Sequence, residues 1–136
     1  MSTARGFVLD HTVLLALGAG NRLASGLIVA SHEHADVHVY VPVLCLAAGQ
    51  SGRPGLGEHI LSLPAVQLED LGFADACAVG DLIHTGMDWQ AAHALVVAHP
   101  KLGQPDPVWP VGRRIVTQVA EWYAGWGLQV IQLPIE

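Results

Sequence analysis

The chain has 136 residues, of which 51% are hydrophobic and 13% are charged. This length fits one domain over residues 1–136, and the hydrophobic content excludes a disordered chain, which needs low hydrophobicity and high net charge. Six basic residues against twelve acidic ones give a formal net charge of −6, which does not favour binding to nucleic acid through bulk electrostatics.

Apolar residues with alternating or helical spacing divide the chain into strands and helices. In chain order the predicted elements are strand 6–10, helix 13–17, helix 21–34, strand 37–41, helix 42–48, a helical turn 58–61, strand 64–69, helix 73–84, helix 88–98, strand 113–117, a short helix 120–124 and strand 128–133. Thr12 and Asn21 are suited to cap the first two helices, and Pro42 fits the first turn of the third. Glycines predict a break at residues 49–57, and three prolines and two glycines predict an irregular loop at 101–112.

This alternation predicts a single-domain, three-layer α/β/α fold with a central, mostly parallel sheet. In such sheets, ligands bind beyond the carboxyl ends of the strands. Asp10 ends the first strand, and Thr117 and Gln118 end the strand that begins at Arg113. Asp88 begins a helix, so its carboxylate could lie over the same sheet edge. Both acids also have a purely structural interpretation, as residues that stabilise the start of a helix.

The order of these motifs resembles that of PIN domains over nearly the whole chain. Residues 7–10 and Thr12 resemble the family's opening strand, its acid and the Ser or Thr that follows two positions later. Residues 40–48 resemble the next helix, and residues 88–94 resemble the third acid at the start of an Ala-rich helix. Residues 114–118 resemble the last inner strand with the Thr beside the fourth acid. The resemblance therefore implies a PIN-like fold.

The resemblance also implies a chemistry, which is metal-dependent phosphodiester hydrolysis, usually of RNA. Many small single-domain members are VapC-like toxins, and the family's three or four clustered carboxylates hold Mg²⁺ or Mn²⁺. Carried over residue by residue, the residual catalytic site comprises Asp10, Thr12, Asp88 and Thr117, with Asp10 and Asp88 as the metal ligands. The partners implied are RNA and an antitoxin-like protein.

Two acids of the family's set are missing from this sequence. The family's Glu falls at or beside Ala48, and its fourth acid falls near Gln118 or Val119. Because one or two carboxylates hold Mg²⁺ weakly, the first hypothesis is a binding or regulatory pseudo-nuclease without a cofactor. The second is an active Mg²⁺- or Mn²⁺-dependent endoribonuclease of the toxin class, in which Gln50, Gln118 or Glu121 supplies a further ligand. The third is a structural subunit that forms a homodimer through apolar helix faces.

Two other clusters have a functional and a structural interpretation. His34 and His38 are four residues apart in a segment with a third histidine, His32, and would form a metal or pH-sensing site on a helix. Otherwise this segment is a polar helix end. Trp122 and Trp126 would share a helix face and predict a core or dimer contact, or a base-stacking platform.

The sequence also indicates a compartment. Polar residues such as Asn21 and Gln50 interrupt each apolar window before it reaches the roughly 18 residues of a spanning helix. The first residues lack the apolar region and cleavage site of a secretory signal. We therefore expect a cytoplasmic protein with no membrane partner. Accordingly, Cys45 and Cys77 are expected to be buried free thiols, and His93 a buried histidine or a contact of the pocket.

Overall fold

The computed structural model describes residues 4–135. Its elements in chain order are β1 (Arg5–Leu9), α1 (His11–Gly18), α2 (Arg22–Glu33), β2 (Val37–Pro42), α3 (Val43–Gly52), α4 (Leu56–Leu61), β3 (Val66–Glu69), α5 (Phe73–His84), α6 (Trp89–Ala98), β4 (Arg114–Thr117), a 3-10 helix (Ala120–Tyr123) and β5 (Val130–Gln132). The predicted elements are confirmed in type and order, and residues 101–112 are irregular.

The five strands form one sheet in the order β3-β2-β1-β4-β5, and all four pairings are parallel. α1 and α2 pack against β1, β2 and β4, whereas α6 crosses the same three strands. Because parallel crossovers are right-handed, the connections that follow β1 and β3 cover opposite faces of the sheet. β1 and β4 are neighbouring strands, and the segments that follow them lie on opposite faces of the sheet. In open parallel sheets, ligands bind at the carboxyl ends of two such strands.

The predicted break after Ala48 is wrong, since α3 continues to Gly52. Gly49 lies inside the helix and is buried. A Cβ on Gly49 would lie only 2.7 Å from the Leu56 side chain. The glycine therefore allows α4 to pack closely on α3 and does not end the helix.

α1 and α2 meet at a sharp bend of 96°. Gly20 has a φ of 89° at this bend, a conformation that glycine adopts without strain. Asn21 then caps α2, because its side chain accepts a hydrogen bond from the Ala24 N–H at 3.0 Å. Within residues 4–135, no single helix is long and apolar enough to cross a membrane, and α1 and α2 reach that length and apolarity only as a bent pair.

Arg113, directly before β4, is buried although it carries a charge. Its guanidinium donates to the Asp106 carboxylate at 2.9 Å and to the Val97 carbonyl at 2.6 Å. The side chain crosses the sheet over Gly6, where a Cβ would lie 3.0 Å from Arg113 Cγ. A side chain at Gly6 would therefore require this buried arginine to shift by a few tenths of an ångström.

The predicted burial of both thiols is half right. Cys45 is buried, whereas Cys77 is exposed. Cys77 lies one helical turn after Phe73, which is 88% exposed, so both side chains belong to the outer face of α5. Apolar composition predicted the helix correctly and could not tell which of its faces contacts the core.

The segment with His32 and His34 is a polar helix end, as the second interpretation expected. α2 ends at Glu33, His34 is its C-terminal cap, and His38 lies in β2 opposite Gly6. The two histidines therefore share no helix face. Throughout residues 4–135 there is no group of three or more His, Cys, Asp or Glu side chains that could hold a metal ion.

Candidate functional site

The structure brings three of the four predicted site residues together at the carboxyl ends of β1 and β4. Asp10 follows β1 directly, and its N–H donates to the Val116 carbonyl of β4 at 3.3 Å. Thr117 ends β4 and Thr12 lies in the first turn of α1. Their hydroxyl oxygens are 3.5 Å apart.

Asp10 is fully buried, with 0% of its surface exposed. Its Oδ1 accepts hydrogen bonds from the N–H groups of Thr12 and Val13 at 3.1 and 3.3 Å, and from the Thr12 hydroxyl at 2.5 Å. Its Oδ2 accepts from the hydroxyls of Thr117 at 2.5 Å and Tyr123 at 2.7 Å. A carboxylate offers about four lone-pair sites, so the protein's own donors use all of them.

The two threonines extend this network to the loop after β4. The Thr12 hydroxyl accepts from the Gln118 N–H at 2.9 Å, and the Thr117 hydroxyl accepts from the Val119 N–H at 3.0 Å. Each hydroxyl has only one proton. Because both hydroxyl oxygens accept these N–H groups, their own protons are directed towards Asp10. The network therefore joins the start of α1 to the segment that follows β4.

Tyr123, which the sequence did not identify as a site residue, covers the Asp10 carboxylate. The side chain is only 1% exposed. Burial, followed by the charge of Asp10, raises the pKa of Tyr123 far above its usual value, so the phenol keeps its proton and donates it. Burial and then the same charge raise the pKa of the nearby Cys45 thiol. Asp10 is thus surrounded by neutral donors, and none of the ion pairs between described residues includes it.

The fourth predicted residue, Asp88, takes no part in this network. It is the N-cap residue of α6, yet its side chain accepts no capping hydrogen bond and is exposed. It lines a separate cavity of about 320 Å³ together with Trp122 and Trp126. The cavity and the network are adjacent, because the His11 ring, next to Asp10, stacks on Trp122 at 5.6 Å.

The residues present do not fit the divalent cation that the family resemblance implies. Mg²⁺ and Mn²⁺ need accessible oxygen ligands, and the oxygens of Asp10 are buried and already bonded. Gln118, near the fourth-acid position, directs its side-chain amide to the Pro134 carbonyl at 3.5 Å. Ala48, at the other missing position, has no ligand atom in its side chain. A metal at Asp10 would have to displace Tyr123 first.

His93 is a buried histidine, as one of the two sequence interpretations expected. Its Nδ1 accepts a hydrogen bond from the Leu44 N–H at the start of α3, at 3.2 Å. Because Nδ1 is an acceptor, the ring is neutral with its proton on Nε2. Burial lowers the pKa of His93 to about 4, which keeps the ring neutral near pH 7.

No protein-family model matches the chain, and a comparison with curated proteins finds no match. Among solved structures, the chain is similar to a crystal structure of VapBC2 from Rickettsia felis bound to a DNA fragment from their promoter. The TM-score is 0.55 at 12% sequence identity, over 92% of this chain and 96% of that one. At this identity the likeness concerns the fold. With the five-stranded parallel sheet between helices, it confirms the predicted PIN-like α/β/α fold.

The Asp10 network predicts that the same substitution, Asp to Asn, lowers stability at position 10 and leaves it nearly unchanged at position 88. Asp10→Asn replaces one acceptor oxygen with an NH₂ group that faces donors, so we expect the free energy of unfolding to fall by about 2–4 kcal/mol. Asp88→Asn, at an exposed position without a capping bond, should change it by less than about 0.5 kcal/mol. Urea unfolding of both variants measures the difference. If Asp10 instead belonged to an acidic metal site in which carboxylates repel one another, Asp10→Asn would be neutral or stabilising.

The lowered pKa of His93 predicts a loss of stability in mild acid. An unfolded histidine titrates near pH 6.5 and the folded one near 4, so between these values the unfolded state binds the extra proton. We expect this residue alone to remove about 2 kcal/mol between about pH 7.5 and pH 5.

Urea unfolding at both pH values checks this for the wild type and for His93→Gln, which should lose less stability on acidification. His59→Gln, at an exposed histidine, is the matched control and should keep the wild-type pH dependence. Equal pH dependence in all three proteins would contradict a neutral, buried His93.

Proposed function

We propose that this PIN-like protein acts by binding, as a regulatory pseudo-nuclease with weak or absent ribonuclease activity. The observation that carries the proposal is the complete hydrogen bonding of the buried Asp10 carboxylate, in which Tyr123 donates to one of the two oxygens. Metal-assisted hydrolysis requires open coordination positions for water and substrate. Here Asp10 instead connects β1, β4 and the 3-10 helix.

An antitoxin-like protein is the partner class that we propose first. VapBC2, whose structure resembles this chain, was crystallised bound to a DNA fragment from its promoter, and the resemblance to VapC-like toxins in the sequence implies an antitoxin-like partner. A protein partner also suits the charge of the chain. Its net charge of −6 makes RNA a poor direct ligand in the absence of bound cations.

An active Mg²⁺- or Mn²⁺-dependent endoribonuclease is the second candidate. Asp10, Thr12 and Thr117 converge at the carboxyl ends of adjacent strands, and Asp88 lies exposed beside them in its cavity. This position in the fold favours a former or residual catalytic site. Activity would require Tyr123 to move away from Asp10 when metal and substrate bind.

The proposal predicts that the wild type does not respond to metal. With about 5 mM Mn²⁺ we expect no change in Tm, since a ligand raises Tm only by binding the folded state. The variant Ala48→Glu/Gln118→Asp/Tyr123→Phe should be less stable without metal, because carboxylates repel one another, and Mn²⁺ should raise its Tm by several degrees, on the order of 5 °C. Ala48 is suited to this test because it lies one turn after Cys45, and the charge of Asp10 raises the pKa of the Cys45 thiol.

Thermal unfolding in EDTA and in MnCl₂ measures both effects. The control variant carries the new Glu at Ala47, which is exposed, and should not respond to Mn²⁺. Mg²⁺-dependent RNA cleavage by the wild type, lost in both Asp10→Asn and Asp88→Asn, would overturn the pseudo-nuclease and establish the active enzyme.

We also propose a homodimer formed through the outer face of α5. Seven residues of this helix are exposed, and all but Asp81 and His84 are apolar or small: Phe73, Ala76, Cys77, Gly80 and Ile83. A Cβ on Gly80 would meet no atom within 4 Å, so a second helix could approach closely there. In a two-fold dimer, side chains near the middle of α5, such as Cys77, would lie near their counterparts.

Sedimentation and cross-linking test the dimer. We expect a dissociation constant in the micromolar range, about 8 kcal/mol of association free energy. At about 100 µM the protein should then be mostly dimeric. A short bismaleimide should then join two copies through Cys77. Gly80→Glu should give a monomer, whereas Leu61→Glu, an equal charge at an exposed position on α4, should not. A monomeric wild type at this concentration would contradict the proposal.

A further inference from the structure

A cavity of about 320 Å³ opens where the end of α5 and the start of α6 meet the segment after β4. Its lining combines two indoles and several aliphatic side chains with polar groups, including one carboxylate. The residues that line it are Leu82, Thr85, Gly86, Met87, Asp88, Ala91, Trp122 and Trp126. Asp88 is the only charged side chain among the residues that line it, so the cavity combines π surfaces with a single negative charge.

The two indoles are held by neighbouring imidazoles. The His11 ring lies parallel to Trp122 at 5.6 Å and 8°, and covers one face of that indole. His99 contacts Trp126 edge-on at 5.8 Å and 82°. Trp126 remains 36% exposed. Each indole thus contacts one imidazole before any ligand arrives, and this contact restricts its rotation and lowers the entropic cost of binding.

The Asp88 carboxylate is not used by the fold. An Asp at an N-cap ordinarily accepts a hydrogen bond from the first turn of its helix, and Asp88 accepts none. Among the ion pairs of residues 4–135, none involves Asp88. Its acceptor capacity is therefore available to a ligand in the cavity.

We propose that this cavity binds a guanidinium group. A guanidinium is planar and weakly hydrated, stacks on indole faces, and pairs with a carboxylate through two parallel hydrogen bonds. An ammonium group is more strongly hydrated and loses more of its hydration on leaving water for a site beside two indoles. The net charge of −6 also favours a cationic ligand. The source is a free guanidino compound or an arginine side chain of a polypeptide.

This proposal deepens the binding function proposed above and rests on it in one respect, namely that Asp88 is not occupied by a metal. The two can fail separately. RNA cleavage in the presence of Mn²⁺ tests the proposed function, whereas ligand binding to the full chain in EDTA tests the cavity.

The test follows the indole N–H signals of ¹⁵N-labelled protein during titration with N-acetyl-L-argininamide. The signals of Trp122 and Trp126 should shift and saturate in the millimolar range, on the order of 1–10 mM, as expected for one small group. Trp89 and Trp109 do not line the cavity and are internal references. Trp109 is moreover buried, with its N–H bonded to the Tyr40 hydroxyl at 2.9 Å.

Matched ligands and variants make the result specific. N-acetyl-L-citrullinamide, a neutral analogue of the same shape, should bind at least about tenfold more weakly. Asp88→Asn should weaken the argininamide by a similar factor, whereas Glu121→Gln removes one exposed charge beside Trp122 and should have an effect below about twofold. Equal binding of citrullinamide, equal affinity in Asp88→Asn, or no shift at Trp122 and Trp126 would each overturn the proposal.

A second pair of ligands identifies the source of the guanidinium. If a capped Ala-Ala-Arg-Ala-Ala peptide binds at least about tenfold more tightly than argininamide, neighbouring backbone contributes and the ligand is an arginine of a polypeptide. If methylguanidinium binds as tightly as the peptide, the ligand is a free guanidino compound. Either result supports the guanidinium site.

Discussion

A buried carboxylate without a cationic partner is the constraint on which the rest of this structure depends. Taking a charge out of water is very costly unless hydrogen bonds replace the lost hydration. The five donors to Asp10 come from the first turn of α1, the end of β4 and the 3-10 helix. The position of each of these segments is therefore set by one side chain. Asp10 is as much a structural centre as it is a candidate for chemistry.

The buried Arg113 presents the same problem at the opposite end of β4, and the fold solves it differently. Arg113 precedes the strand and is paired with Asp106, and its guanidinium lies 4.1 Å from the centre of the Tyr40 ring. Thr117 ends the strand and donates to Asp10. Both ends of β4 are thus fixed by buried charges, one satisfied by an ion pair and an aromatic face and the other by neutral hydroxyls.

Local patterns in the sequence predicted the elements and placed Asp10 and Thr117 at the carboxyl ends of strands. Thr12 was predicted as a site residue from the family resemblance, in which a Ser or Thr follows the first acid by two positions. Tyr123 was not predicted as a site residue, because its contact with Asp10 spans 113 residues and no periodicity encodes it. The burial of Arg113 was not predicted for the same reason, since its guanidinium bonds to the Val97 carbonyl and its side chain packs over Gly6, far away in the chain.

The sequence separation of the contacts at Asp10 also has a consequence for the order of folding. Two of its partners, Thr12 and Val13, are adjacent in the chain and can bond as soon as α1 forms. Thr117 and Tyr123 are 107 and 113 residues away, so their loop-closure entropy must be overcome first. During synthesis Asp10 stays hydrated until the C-terminal strands have emerged and added to the sheet. The site that would be catalytic in an active relative is therefore among the last parts of this molecule to be desolvated.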